Sequence, residues 1–200
     1  HTSTLVIVGL ILFFMEGMNG KYQSLENLEE AFGHGDIELD EFEYAKRGLK
    51  TQELREKLSG GEISREEFLR AELQVGLEKL VVHGDYLFQE NGNVELKLRP
   101  DLDAMTSIYL MDLAGINYSA IEFQHKGKWV PGAIHFDTGG RKEFTIEDDG
   151  SVFFDHHGKE KGEFTSAAQI TYEKLVELGF LNKEEWLDKF TAFVTEIDNL

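Results

Sequence analysis

The chain has 200 residues and a formal net charge of −18 at pH 7, with 38 acidic and 20 basic side chains. This acidity argues against a broad surface for duplex nucleic acid, because phosphate backbones are bound by Lys and Arg that displace counterions. Hydrophobic residues make up 41% of the chain, which is enough for one substantial domain with a small extension. The chain has no cysteine, so disulfides and thiol chemistry are excluded, and we expect a cytoplasmic location.

The N-terminal segment is apolar from Leu5 to Met15 except at Gly9. It is shorter than the roughly 20 residues that cross a bilayer, and it lacks the basic leader of a signal peptide. Its β-branched content favours a buried strand over a buried helix. Because the chain begins with His1 and not Met, we expect it to be processed, tagged or truncated, and membrane attachment through a longer form of this segment stays open.

Residues 1–84 are predicted to form this strand followed by a helical region. Ser24, Asp40 and Thr51 are candidate starts of three helices, and Ser64 begins a fourth with a capping box. The acidic faces of these helices are either solvated surface or a hairpin that docks on a partner. The fourth helix places five apolar residues at helical spacing: Phe68, Leu69, Leu73, Leu77 and Leu80.

Residues 85–200 are predicted to form an α/β domain with a mostly parallel sheet flanked by helices, because strands and helices alternate there. Asn91-Gly92 is a strong signal for a hairpin whose second arm leads into Asp101. Another hairpin is expected between Tyr118–Gln124 and residues 128–130. The other expected elements are a strand at 133–137, a strand pair around the acidic turn 147–150, a helix beginning at Thr165 or Ser166, and a helix beginning at Asn182.

Four clusters of acidic residues and imidazoles stand in this half of the chain, most of them after an apolar, strand-like run. Side chains at strand ends gather at one edge of an open α/β sheet. Carboxylates and imidazoles collected there suit a divalent cation such as Mn²⁺ or Mg²⁺. The clusters are Arg99-Pro100-Asp101-Leu102-Asp103-Ala104, His135-Phe136-Asp137-Thr138-Gly139-Gly140, Asp155-His156-His157-Gly158 and Glu196-Ile197-Asp198-Asn199.

The order of these clusters resembles the DHH phosphoesterase superfamily. That group includes RecJ-type exonucleases, family II inorganic pyrophosphatases and hydrolases of short oligonucleotides or cyclic dinucleotides. The resemblance covers the second half of the chain, from about Val94, and four motifs in order are more specific than Asp-His-His alone. The matching motifs are Asp101-Leu102-Asp103-Ala104, then Asp137 after a hydrophobic strand, then Asp155-His156-His157, and finally Asp198.

The resemblance implies hydrolysis of a phosphoester or phosphoanhydride with one or two Mn²⁺ or Mg²⁺ ions. His157 would face the substrate phosphate, with Asp155 beside it in the catalytic group. Small phosphorylated molecules or short oligonucleotides suit the acidity better than long duplexes, and the oligomeric state is not indicated. The implied metal ligands are Asp101, Asp103, Asp137, His156 and Asp198, and the implied substrate contacts are Arg99, Gly139, Gly140 and Lys159.

Two features depart from the family pattern. The family places a metal-binding His a few residues before the first Asp-x-Asp, where this chain has Lys97, Leu98 and Arg99. Lys97 and Arg99 would bring positive charge that replaces one cation or contacts a phosphate. The family also carries a C-terminal substrate-binding domain. Because the chain stops two residues after Asp198, that domain is either absent or part of a longer protein.

Simpler roles stay open for these residues. Asp101 can cap a helix, Asp137 can belong to a turn, and Asp155 can orient a neighbouring imidazole. Two other functions also stay open: a degenerate DHH-like scaffold that binds a nucleotide or protein, and an interaction protein that works through its helical front half. Four histidines lack acidic company and are expected to be surface or strand residues: His34, His83, His125 and His135.

Overall fold

The computed structural model describes residues 24–87, 97–124, 129–141, 143–157 and 165–200. At residues 78, 85–87 and 97–99 it describes the backbone alone. It contains the expected mixed α/β fold, with a mostly parallel sheet, flanking helices and an N-terminal helical region. The chain divides into two compact units, one up to Glu56 and one from Lys57 onward. The strand expected at Leu5 to Met15 lies outside the described residues.

The first unit contains α1 (Leu25–Gly33) and most of α2 (Leu39–Ser59). Ser24 caps α1 as predicted, because its hydroxyl accepts the backbone N–H of Asn27. The two helices predicted from Asp40 and Thr51 are one continuous helix. The Gly between them costs only about 1 kcal/mol relative to Ala in a helix, so it does not end α2. The apolar core of this unit is formed by Leu28, Ile37, Phe42 and Ala45.

The helix α3 (Arg65–Val75) begins with the predicted capping box at Ser64. Its predicted extension to Leu80 is wrong, because Gly76, with a φ of 90°, ends the helix and residues Leu77–His83 form strand β1. The side chains of Leu80, Val81 and Val82 are fully buried, as in a strand covered on both faces. The second unit therefore begins well before the domain boundary expected at residue 84.

The sheet has the order β4-β1-β5-β7-β6, with β4 at Tyr118–Gln124, β5 at Ile134–Phe136, β6 at Thr145–Ile146 and β7 at Val152–Phe154. β1 pairs in parallel with β4 and β5, and β5 pairs in parallel with β7. β6 and β7 form the antiparallel pair expected around the acidic turn. The hairpin predicted for β4 and residues 128–130 is not found at residues 129 and 130, which are not in a strand, and β4 pairs in parallel with β1. Its turn at Lys126-Gly127 lies outside the described residues.

The two arms of the hairpin predicted around Asn91-Gly92 are present in the structure. Its strands are β2 (Asp85–Leu87) and β3 (Lys97–Arg99), which pair antiparallel with Asp85 opposite Arg99. The Asn-Gly turn itself lies outside the described residues. The hairpin leaves the sheet directly after β1 and returns directly before Asp101, so it joins two parts of the chain that meet at its base.

The remaining helices are α4 (Leu102–Leu113), α5 (Ala167–Glu177) and α6 (Glu185–Asp198), and they pack against one another. Ser166 caps α5 as predicted, whereas α6 begins after Glu184 and not at Asn182. α5 packs on β7 and α4 packs on β5. These contacts bring the start of α4 and the end of α6 to the edge of the sheet. In the part of the chain that the structure describes, no helix is long and apolar enough to cross a membrane.

Candidate metal centre

Three neighbouring parallel strands end in side chains that can bind a cation. His83 is the last residue of β1, Asp137 follows β5, and Asp155 follows β7. Because β1, β5 and β7 are adjacent and parallel, their carboxyl ends lie at one edge of the sheet. Asp137 has a φ of 56°, a left-handed conformation that turns the chain out of its strand. This geometry places Asp137 between the other two strand ends.

Two helices bring further carboxylates to this edge. Asp101 caps α4, since its Oδ1 accepts the backbone N–H of Ala104 at 2.8 Å. Asp103 lies in the first turn of α4 and is buried, and Asp198 is the last residue of α6. The cap is therefore a real structural role for Asp101, but it uses only one carboxylate oxygen.

One group of ligand atoms surrounds the ring of His156. Its Nε2 lies 3.2 Å from Asp137 Oδ1, 3.2 Å from Asp198 Oδ2 and 3.6 Å from Asp103 Oδ2. These four residues come from the ends of β5, β7 and α6 and from the start of α4. The expected convergence of Asp103, Asp137, His156 and Asp198 is thus found in the structure.

Another group of ligand atoms surrounds the ring of His83. Its Nδ1 lies 3.0 Å from Asp137 Oδ2 and 3.5 Å from Asp101 Oδ2. His157 is also near, with Nδ1 3.1 Å from Asp137 Oδ1. Since the carboxylate of Asp137 takes part in both groups, the two candidate ion positions are adjacent and share this residue.

His83 is a candidate site residue that the sequence reasoning missed. It is a strand residue, as one of the two expectations had it, and its ring is buried at the strand end and faces Asp101 and Asp137. It places an imidazole beside Asp101, where the sequence offered only Lys97, Leu98 and Arg99. The hairpin β2–β3 is inserted between His83 and Asp101, and its pairing brings both residues together. The Asn-Gly hairpin signal, followed back to the start of its first arm, would have identified His83.

The side chain of Asp155 is fully buried, and its carboxylate oxygens accept hydrogen bonds from other groups of the chain. Its Oδ2 accepts the backbone N–H of Arg141 at 2.6 Å, and its Oδ1 accepts the N–H of His156 at 2.8 Å. The ring Nδ1 of His157 also lies 2.8 Å from this Oδ1. Asp155 therefore orients His157 and the loop after β5, which is the orienting role that the sequence left open.

The expected substrate contacts are only partly described. Gly139 has a φ of 105°, and a Cβ at this position would lie 2.5 Å from the ring of Phe153, so packing requires a glycine here. Gly140 has a φ of 70° with open space around its Cβ position, and its backbone can be approached. Lys159 and the side chain of Arg99 lie outside the described residues.

Burial and like charges shape the ionisation of the cluster. Burial and then the neighbouring charge of Asp137 raise the pKa of Asp103 to about 7, against the effect of two backbone N–H donors at Ala167 and Ala168. Hydrogen bonds to Asp101 and then Asp137 raise the pKa of His83 to about 10. Burial opposes ionisation of Asp137, but the imidazoles of His156 and His83 outweigh it and hold its pKa well below the usual range. Asp103 is thus a buried carboxyl group whose charged form a bound cation would stabilise.

The residues fit one or two divalent cations. Asp137 Oδ1 and His156 Nε2 are buried and make no hydrogen bond within the described part of the chain, which is costly for polar atoms. An ion between them would satisfy both atoms. Neighbouring ligands in an octahedral Mg²⁺ shell lie about 3 Å apart, close to the separations of ligand atoms in both groups. Carboxylate oxygens with one or two imidazoles suit Mn²⁺ as well as Mg²⁺.

Comparison of the chain with family models, curated proteins and solved structures found no significant match in any of the three.

Proposed function

We propose that the protein is a metal-dependent hydrolase of phosphoester or phosphoanhydride bonds, of the DHH phosphoesterase type. The observation that carries the proposal is the convergence of the four motifs, which are far apart in sequence, on the shared carboxylate of Asp137. The position of His83 adds support, because it supplies the imidazole that the family pattern requires before the first Asp-x-Asp.

The ligand sets follow from the two groups of atoms. His83, Asp101 and Asp137 would hold the first ion, and Asp103, Asp137, His156 and Asp198 would hold the second ion. When bound, Mn²⁺ or Mg²⁺ would supply a Lewis acid that polarises phosphoryl oxygens and lowers the pKa of bound water. Asp137, shared by both sets, keeps the two positions adjacent.

His157 is suited to move a proton at the substrate. Its Nδ1 lies 2.8 Å from Asp155 Oδ1, closer than the 3.1 Å to Asp137 Oδ1, so the Asp155 carboxylate orients the ring and favours a proton on Nδ1. The other ring nitrogen, Nε2, is then available to a leaving oxygen or a phosphate oxygen. With its ring held by the buried carboxylate of Asp155, His157 is proposed to act as acid or electrostatic stabiliser.

The substrate class follows from charge. A net charge of −18 repels long polyanions, so small phosphorylated molecules or short oligonucleotides are the proposed substrates. Contacts from Arg99, Gly140 and Lys159 to the phosphate stay predictions, as does a cytoplasmic location. The degenerate, metal-free scaffold was favoured by the absence of a His beside Asp101, and the placement of His83 removes that argument.

The test is hydrolysis by the purified chain with Mn²⁺ or Mg²⁺, on mononucleotide, dinucleotide and pyrophosphate substrates. We expect turnover with at least one substrate and loss of turnover with a chelator. Asp137→Asn should abolish it, because both ion positions lose a ligand. Asp148→Asn is the matched control, since Asp148 is an exposed acid that pairs only with Arg65 among the described contacts.

Two results would contradict the proposal. One is a chain that binds no Mn²⁺ and turns over none of the three substrates, which would favour the degenerate scaffold. The other is turnover that survives both the chelator and Asp137→Asn, which would assign the activity to a different site or to a contaminant.

A further inference from the structure

The last turn of α6 is tied to the first turn of α5 by side chains outside the ligand set. The hydroxyls of Ser166 and Thr195 lie 2.8 Å apart and are buried. Asn199 Nδ2 donates to the carbonyl oxygen of Thr165 at 3.1 Å and to that of Thr195 at 2.7 Å. Ser166 is also the cap of α5, where its hydroxyl accepts the N–H of Gln169. These bonds fix the two helix ends against each other.

Each of the two helix ends holds one ligand of the same ion position. At the start of α5, the backbone N–H groups of Ala167 and Ala168 each donate to the carboxylate of Asp103 at 2.7 Å. At the end of α6, Asp198 lies three residues after Thr195. Both carboxylates face His156 Nε2. The separation of Asp103 and Asp198 is therefore set by the contact between the helix ends.

Asp198 needs such a restraint. Helix ends fray, and a negative charge at a helix C-terminus is opposed by the helix dipole. Without a contact that holds the last turn in place, these effects would move the carboxylate away from the cluster.

We propose that Ser166, Thr195 and Asn199 form a latch that positions Asp198 beside Asp103 and His156 and so determines the affinity of the second ion position. This inference rests on the proposed function, because it concerns the metal set defined there. The three residues are positioning residues: they touch the helix ends and not the ligand atoms of the cluster. The hydroxyl of Thr195 acts through Asp198, and that of Ser166 acts through the amides that hold Asp103.

The test uses Thr195→Val, which keeps the size of the side chain and removes the hydroxyl, and Thr195→Ser, which keeps the hydroxyl. Thr191→Val is the matched control, because Thr191 is buried one turn earlier in α6 and its hydroxyl bonds only within its own helix among the described contacts. Bound Mn²⁺ is counted from the electron paramagnetic resonance signal of the free ion during titration of the full chain. Circular dichroism checks that each variant is folded.

We expect two Mn²⁺ ions in the wild-type chain, in Thr195→Ser and in Thr191→Val. In Thr195→Val the first ion should keep its affinity, and the second should bind about 10–100-fold more weakly, as is typical when a residue that orients a ligand is lost. Should Thr195→Val fail to fold, Asn199→Ala removes the exposed part of the latch, and the same selective loss is expected.

The outcomes separate the latch from the proposed function. Two ions of unchanged affinity in a folded Thr195→Val or Asn199→Ala would overturn the latch alone. Equal weakening by Thr191→Val and Thr195→Val would also overturn it, because the effect would then be general loosening of α6. A wild-type chain that binds no Mn²⁺ would overturn both the latch and the proposed function.

Discussion

At the scale of single residues, the candidate centre is organised by Asp137. Its carboxylate lies within 3.0–3.2 Å of ring nitrogens of His83, His156 and His157. The left-handed backbone at this residue turns the side chain into the cluster directly after β5. A buried carboxylate with three imidazoles around it stays ionised, which makes Asp137 a permanent anion between the two ion positions.

The two neighbouring histidines should differ in role. His156→Ala should remove a ligand of the second ion and lower Mn²⁺ binding, because its Nε2 faces three carboxylates. His157→Ala should retain Mn²⁺ and reduce turnover by ~10²–10⁴-fold, as expected for loss of one general acid. Metal titration and steady-state kinetics on the same preparations measure the two effects. Equal loss of Mn²⁺ in both variants would refute this division.

His83 should be needed for the first ion. His83→Ala should reduce the number of bound Mn²⁺ ions from two to one, because Asp101 and Asp137 then lack their imidazole partner. His34→Ala is the control, since His34 is an exposed residue at the end of α1. Both counts come from Mn²⁺ titration. If His83→Ala still bound two ions, the ligand set around Asp101 would have to be redrawn.

At the scale of elements, the backbone path of the loop after β5 depends on two glycines. Gly139 and Gly140 both have positive φ, and Gly139 lies against the ring of Phe153. The same loop ends at Arg141, whose backbone N–H donates to Asp155. The loop therefore links the strand end that carries Asp137 to the carboxylate that orients His157.

This arrangement predicts different costs for two adjacent substitutions. Gly140→Ala should be destabilising by about 1–2 kcal/mol, because an L-residue is strained at positive φ but its Cβ meets open space. Gly139→Ala should cost more, because at a φ of 105° the new Cβ also meets the Phe153 ring at 2.5 Å. Urea unfolding of both variants measures the difference. Equal free energies of unfolding for the two variants would show that the Phe153 ring moves to accommodate the added methyl group.

At the scale of the whole molecule, the acidic cluster should make the folded state depend on cations. Saturating Mn²⁺ should raise the melting temperature, and a concentration 100-fold above the dissociation constant adds about 2.7 kcal/mol per site. Chelator should reverse the shift. Asp148→Asn should retain the shift and Asp137→Asn should lose it, which thermal unfolding with and without Mn²⁺ can measure. A wild-type melting temperature that does not change on addition of Mn²⁺ would contradict the proposed metal centre.

The sequence by itself determined the mixed α/β class and the residues of the cluster that follow local patterns. Asp101 and Asp103 precede an apolar helix, and Asp137 and His156 follow apolar strands, so local patterns indicated a cluster at strand ends. The assignment of single residues as metal ligands came from the resemblance to the DHH superfamily. The capping box at Ser64 and the pairing of the arms of the hairpin around Asn91-Gly92 were also correct, since both depend on contacts between residues close in sequence.

Only the tertiary structure decided what depends on long-range pairing. Residues Leu77–His83 fit helical spacing, yet they form a strand because β4 and β5 pair with them on both sides. For the same reason β4 pairs with β1 and not with the segment that follows it. His83 and Asp101 stand on either side of a hairpin, and the pairing of β2 with β3 brings them together. Their shared approach to Asp137 depends on the pairing of β1 with β5, which is a property of the fold.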